Sequence, residues 1–145
     1  EWAKAEHRDH CAPLGLTGAG GAEVNARPAE FSGGWAVAFD LPAMRSAYGV
    51  AGVGMLDTDN DSDADKRQQL QQQWPYFREL PGLPDASYAG YGVEGAKAYP
   101  ADQPNGDRLE SLAYVRVGGQ KCLYNVWSKL GRDHLETLLD SLRTL

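Results

Sequence analysis

The chain has 145 residues, 42% of them apolar and 23% charged, with 14 basic against 20 acidic side chains and a net charge of −6. That size suits one domain able to bury roughly 70% of its unfolded surface, and the mixture is that of a globular chain rather than a disordered one. A pI near 5.0 with scattered basic residues argues against nucleic acid as a partner, and the longest weakly apolar run, residues 47–56, is about half of the roughly 20 residues a membrane-spanning helix needs.

Residues 1–10 are polar around one apolar anchor, Trp2, and residues 11–22 (CAPLGLTGAGGA) are rich in glycine and small residues. Residues 1–30 therefore read as an irregular N-terminal segment ahead of a core spanning 31–145. The first clear strand runs from Trp35 to Leu41: Trp35, Val37, Phe39 and Leu41 alternate with Ala36, Ala38 and Asp40, the period-two pattern of a half-buried strand. Pro42 ends it. Residues 48–56 (YGVAGVGML) predict a second strand, whose Gly49, Gly52 and Gly54 point to a bulge or a close approach of another group.

A helix is predicted over residues 64–73, with Leu70, Trp74 and Phe77 at spacings of four and three. Pro75 stops it near Trp74. Residues 88–99 resume a strand, and residues 100–107, containing Asn105-Gly106, form a turn. Residues 111–117 and 120–128 flank Gly118-Gly119 and predict a hairpin. Pairing outward from that turn opposes Val115 to Cys122 and Ala113 to Tyr124 on an apolar face, and leaves Tyr114, Arg116 and Trp127 on the reverse. After Gly131, an Asp133-x-x-Glu136 capping arrangement opens a last helix with an apolar stripe at Leu135, Leu138, Leu139, Leu142 and Leu145. The expected fold is a single α+β domain, a mainly antiparallel sheet with this C-terminal amphipathic helix packed on the hairpin.

Two features could carry chemistry. Asp57, Asp59, Asp61, Asp63 and Asp65 place a carboxylate on every second residue. The opening resembles the Asp-x-Asp-x-Asp start of an EF-hand or related extracellular calcium loop, and Ca²⁺ takes six to eight oxygens at about 2.3–2.6 Å. An EF-hand is excluded in any register, because position six from Asp57 is Ser62 rather than Gly and position twelve is Gln68 rather than Glu. Asp57, Asp59, Asp61 and Asp63 remain the candidate ligands of a looser Ca²⁺ site. The plainer role is helix capping, since carboxylates ahead of a helix favour its N-terminal dipole by about 0.3–1 kcal/mol each.

Cys11 and Cys122 stand 111 positions apart with no CxxC near either, which excludes the common zinc and thioredoxin signatures. The chain opens on Glu1 rather than Met, as expected after removal of a leader. Together these predict an exported protein, periplasmic or extracellular, with one Cys11–Cys122 disulfide. Abundant Ala, Gly, Gln and Arg suggest a bacterial source.

His7, His10 and Cys11 lack further ligands and read as a polar terminus, and no Gly-x-Ser-x-Gly elbow is present. With no catalytic constellation, Tyr114 and Trp127 on the outer hairpin face predict a site for another protein. The function expected is a small exported, non-enzymatic accessory protein, inhibitor-like or immunity-like. The alternatives are an extracellular calcium-binding module and a hydrolase using paired carboxylates.

Overall fold

The computed structural model describes residues 12–16, 25–31, 34–42, 44–56, 63–84, 86–93, 101–102 and 110–144. Within them the chain forms β1 (Leu14–Leu16), β2 (Asn25–Phe31), β3 (Gly34–Leu41), β4 (Met44–Leu56), α1 (Asp63–Gln73), β5 (Tyr76–Glu79) and β6 (Tyr88–Val93). These are followed by β7 (Ser111–Arg116), β8 (Cys122–Ser128), α2 (Arg132–Ser141) and β9 (Leu142–Thr144). Seven strands make one sheet in the order β2-β3-β4-β8-β7-β6-β5, and β1 pairs with β9 in a separate ribbon. Every ladder is antiparallel. The sheet is two meanders joined where β4 lies beside β8, and α1 carries the chain from the sheet's centre to its far edge. The architecture is α+β with a mainly antiparallel sheet, as expected.

Cross-strand partners share a face, and the two faces are covered differently. Trp35, Val50, Tyr91, Val115, Tyr124 and Val126 join a buried cluster with Leu135, Leu138 and Leu139 of α2, Leu142 of β9 and Leu14 of β1. On the opposite face Leu70 and Trp74, from α1 and the residue just after it, pack with Tyr88, Phe77, Leu112 and Tyr114. The two buried clusters thus lie on opposite faces of the sheet.

Several expectations are corrected. The N-terminal segment is not irregular throughout, because β1 lies inside residues 1–30 and β2 begins there at Asn25 and runs to Phe31. β4 starts at Met44, four residues earlier than predicted, and the short strands β5 and β9 were not foreseen. Ala36 and Ala38 are buried like Trp35 on the other side, so β3 is covered on both faces there. The hairpin's register differs by two residues: Val115 opposes Tyr124 and Ala113 opposes Val126. The chain turns over Val117–Gln120, closed by Gln120 N–H donating to the Val117 carbonyl at 3.0 Å, with Gly119 at φ 82. A shift of two preserves side-chain parity, so both faces keep their predicted members. On the reverse face Arg116 opposes Leu123.

The Asp133–Glu136 capping box is absent. The N-cap is Gly131, at φ 105, with no side-chain cap hydrogen bond, and Asp133 already lies in the first turn. Glu136 instead accepts from the Tyr91 hydroxyl at 2.5 Å. His134 is half-buried, set edge-on against Tyr48 and 2.8 Å from Ser128 Oγ through Nδ1. Burial pushes its pKa down. Ser128 Oγ also accepts from Leu130 N–H at 3.0 Å and its residue has 0% exposure, which makes the pair a structural brace rather than a nucleophile.

Among the described residues no helix is long and apolar enough to cross a membrane. Asp57, Asp59 and Asp61 lie outside the described residues, as do Cys11, His7, His10 and Leu145; of the expected calcium ligands only Asp63 is placed, as the first residue of α1.

Candidate functional site

The sheet face opposite α2 carries a cleft of about 360 Å³ beside α1's layer, lined by Ser46, Glu110, Leu112, Tyr114, Asn125, Trp127 and Lys129. Its walls follow from strand parity. Tyr114 opposes Asn125 and Leu112 opposes Trp127 across β7 and β8, which brings the two predicted binding residues, Tyr114 and Trp127, to one surface.

Both rings are held from behind. Tyr114 leans on Trp74 with centroids 5.1 Å apart. Trp127 lies across Gly49, its cross-strand partner, and a β-carbon on Gly49 would collide with the indole and sit 2.5 Å from the Val37 carbonyl. The close approach foreseen at the β4 glycines is this one, together with Trp35 over Gly52. The Trp127 indole N–H donates to the Ser46 carbonyl at 3.3 Å.

Ser46 is a conformational outlier, a non-glycine residue at φ 51, a geometry that persists only when its surroundings enforce it. They do so here through four strands. Ser46 N–H donates to Asp40 Oδ1 at 2.7 Å, and Arg27 Nη2 donates to Ser46 Oγ at 2.7 Å. Arg27 also grips Asp40 with two bonds, Nε to Oδ2 at 3.0 Å and Nη2 to Oδ1 at 3.2 Å. Those hydrogen bonds, first from Arg27 and then from the Ser46 backbone, hold the Asp40 carboxyl down at about 2. The chain of contacts Arg27–Asp40–Ser46–Trp127 therefore aims the indole.

This network predicts an acid dependence with a definite sign. A carboxylate whose folded pKa lies below its unfolded value, here about 2 against 3.8, contributes stability that is complete above the unfolded pKa and lost as pH falls toward the folded one. Melting temperatures of the parent protein and Asp40→Asn, measured between about pH 5 and pH 2, should differ most above pH 4 and converge toward pH 2. A constant difference across that range would show that Asp40 does not titrate through this network.

Asn125 also lines the cleft; it is 5% exposed, and its Oδ1 is buried with no hydrogen-bond partner among the described residues. Buried carbonyl oxygens are satisfied in the great majority of cases, and leaving one unmade costs about 1–3 kcal/mol. At the rim stand the exposed Glu110 and the half-buried Lys129, whose ammonium donates to the Arg45 carbonyl at 3.3 Å. Sequence reasoning missed Asn125, Ser46, Asp40, Arg27, Glu110 and Lys129. One signal was available: asparagine is depleted from strands, yet Asn125 stands between Tyr124 and Val126.

A larger cleft of about 750 Å³ runs from Arg67 past β5 and the 80–87 loop to Glu136. Its charged groups are already matched: Arg67 with Glu79, Arg78 with Asp140, and the Tyr91 hydroxyl with Glu136. Beside it Tyr76 stacks on Tyr91 at 5.5 Å under the Arg132 guanidinium. These pairs tie β5 to α1 through Arg67–Glu79 and to α2 through Arg78–Asp140. Among the described residues no group of three or more His, Cys, Asp or Glu side chains could hold a metal.

No protein-family model matches the chain, and neither a curated protein nor a solved structure matches it significantly.

Proposed function

We propose that the protein is an exported, non-enzymatic binding protein that docks another protein on the face carrying Tyr114 and Trp127. The observation that carries this reading is Trp127: its ring is fixed by Gly49 and a strained Ser46 while its flank opens on a cleft. Rigid, partly exposed aromatic side chains lose little entropy on binding and dominate interface energetics. The scaffold behind that face, on this reading, is α2 docked on the β7–β8 hairpin, supported by the buried cluster the two share.

Export rests on the Cys11–Cys122 disulfide. Its support is the residue after Cys11: Ala12 N–H donates to Gln120 Oε1 at 2.9 Å, and the Tyr124 hydroxyl donates to the Ala12 carbonyl at 2.8 Å. Gln120 and Tyr124 bracket Cys122, which is 1% exposed. The acidic comb enters this reading through its charge, as an attraction for a basic partner, and bound calcium is not required by it.

The test is recovery of a stoichiometric partner from the native source with the parent protein, Tyr114→Ala and Trp127→Ala. Truncation of a hot-spot aromatic costs about 2 kcal/mol or more, roughly thirtyfold in affinity. Loss of the partner from both variants, with unchanged circular dichroism, supports the assignment. Equal recovery by all three proteins removes it.

A further inference from the structure

Independently of the Tyr114–Trp127 face, we infer that the β5 edge of the sheet captures an extended segment of another polypeptide as an added strand. β5 ends the seven-strand order. Leu80 N–H donates to the Ser87 carbonyl at 3.0 Å, continuing the β5–β6 register, and antiparallel ladders alternate bonded with non-bonded pairs. Tyr76, Arg78 and Leu80 therefore turn their main-chain groups toward β6, while Phe77 and Glu79 turn theirs outward. Among the described residues no backbone hydrogen bond from another segment meets either of them. Each offers one N–H and one C=O, and the two positions stand about 7 Å apart, the repeat of an extended chain.

This edge is held in place from both faces. Glu79 pairs with Arg67 of α1, whose guanidinium lies over the Phe77 ring at 5.4 Å, and Arg78 pairs with Asp140 of α2. A strand already ordered loses little further entropy on binding. The next positions of the outward row are Pro75 and Pro81, which have no N–H to give, so the added strand is a short one that pairs at Phe77 and Glu79. The same prolines oppose a second copy of this chain. In an antiparallel pair of β5 strands, Phe77 against Glu79 of the other copy would set the two Arg78 residues directly opposite, an unfavourable like-charge pair. Sliding by two residues either way brings Pro75 or Pro81 into the bonded row. The occupant is therefore a strand of a different protein. At the C-terminal end of the edge, the cleft of about 750 Å³ that Glu79, Pro81 and Pro84 help to line leaves room for the residues that follow.

The probe is a blocked pentapeptide of alternating threonine and valine, titrated into the isotopically labelled protein and followed by NMR. In the free protein the Phe77 and Glu79 amides should exchange with solvent at least about tenfold faster than the Arg78 amide, which is bonded to β6. Added peptide should move the Phe77 and Glu79 amide signals saturably and slow their exchange. The same peptide N-methylated at every amide keeps its side chains, loses its donors and should do neither. Glu79→Pro, a substitution an edge strand tolerates, should weaken binding by about tenfold through loss of a main-chain donor. Glu79→Gln keeps that donor and should bind as the parent does. Should Glu79→Pro fail to fold, the methylated peptide still decides. Equal response to the methylated peptide, or no saturable response to the parent peptide, overturns the inference. So does slow exchange at Phe77 and Glu79 in the free protein, which would mean that the edge is already covered. Shifts of those two amides on concentrating the protein alone would replace the foreign strand by a second copy. None of these outcomes bears on the Tyr114→Ala and Trp127→Ala partner test.

Discussion

Replacing Leu138 by alanine should lower the unfolding free energy by about 2–5 kcal/mol, the range for truncating a core leucine. Leu138 is 1% exposed and belongs to the cluster that includes Val115, Tyr124 and Val126 from β7 and β8 and Leu14 from β1. Two effects add: the transfer free energy of the lost carbons and the cavity left between α2 and a sheet whose strands cannot all move inward. Alanine's better helix propensity returns only a few tenths of a kilocalorie. Thr137, exposed on the same helix, is the control, with an alanine effect within about half a kilocalorie. Urea melts of both variants decide the matter. A Leu138→Ala loss as small as the Thr137 control would mean that α2 is not docked on the hairpin.

Loss of the proposed Cys11–Cys122 bond should be comparably costly. Closing a loop of about 110 residues is worth about 4–5 kcal/mol in the chain-entropy model, less where the native geometry is strained. For a domain of this size that corresponds to a melting temperature lower by roughly 10–20 °C. Cys11→Ser is the cleaner variant, since serine at buried position 122 would add the cost of an unsatisfied hydroxyl. Intact mass under non-reducing conditions should show no alkylated cysteine. Two alkylated thiols in the unreduced native protein would defeat both the bond and the case for export.

The parts of the fold that were legible share one property, local periodicity. β3, β8 and α2 each carry a period of two or 3.6 long enough to read, α1 is rich in the good helix formers Lys, Arg and Gln, and Gly118-Gly119 marked the β7–β8 turn. The strands that were missed lack that signal. β2 contains Pro28, which a sheet tolerates at its edge, and β2 lies at one edge of the sheet. β5, at the other edge, has four residues, and β1 and β9 have three each. Their strand character comes from partners far along the chain, Leu14 opposite Thr144 for example.

The candidate site divides in the same way. That Tyr114 and Trp127 share the face turned from the apolar side was determined by the sequence alone, because parity along a strand is a local property that survived even the two-residue change of register. That this face is a cleft with an unmet acceptor was decided by tertiary structure. Arg27, Asp40, Ser46 and Trp127 come from β2, β3, β4 and β8, and only the strand order β2-β3-β4-β8 sets them side by side. Asn125 is left without a donor because its neighbours across the sheet are Ala51 and Tyr114. Ala51 has no polar side-chain group, and the Tyr114 hydroxyl makes no hydrogen bond to the Asn125 oxygen. Which polar atoms a fold leaves unpaired depends on contacts between distant segments, and no local pattern encodes them.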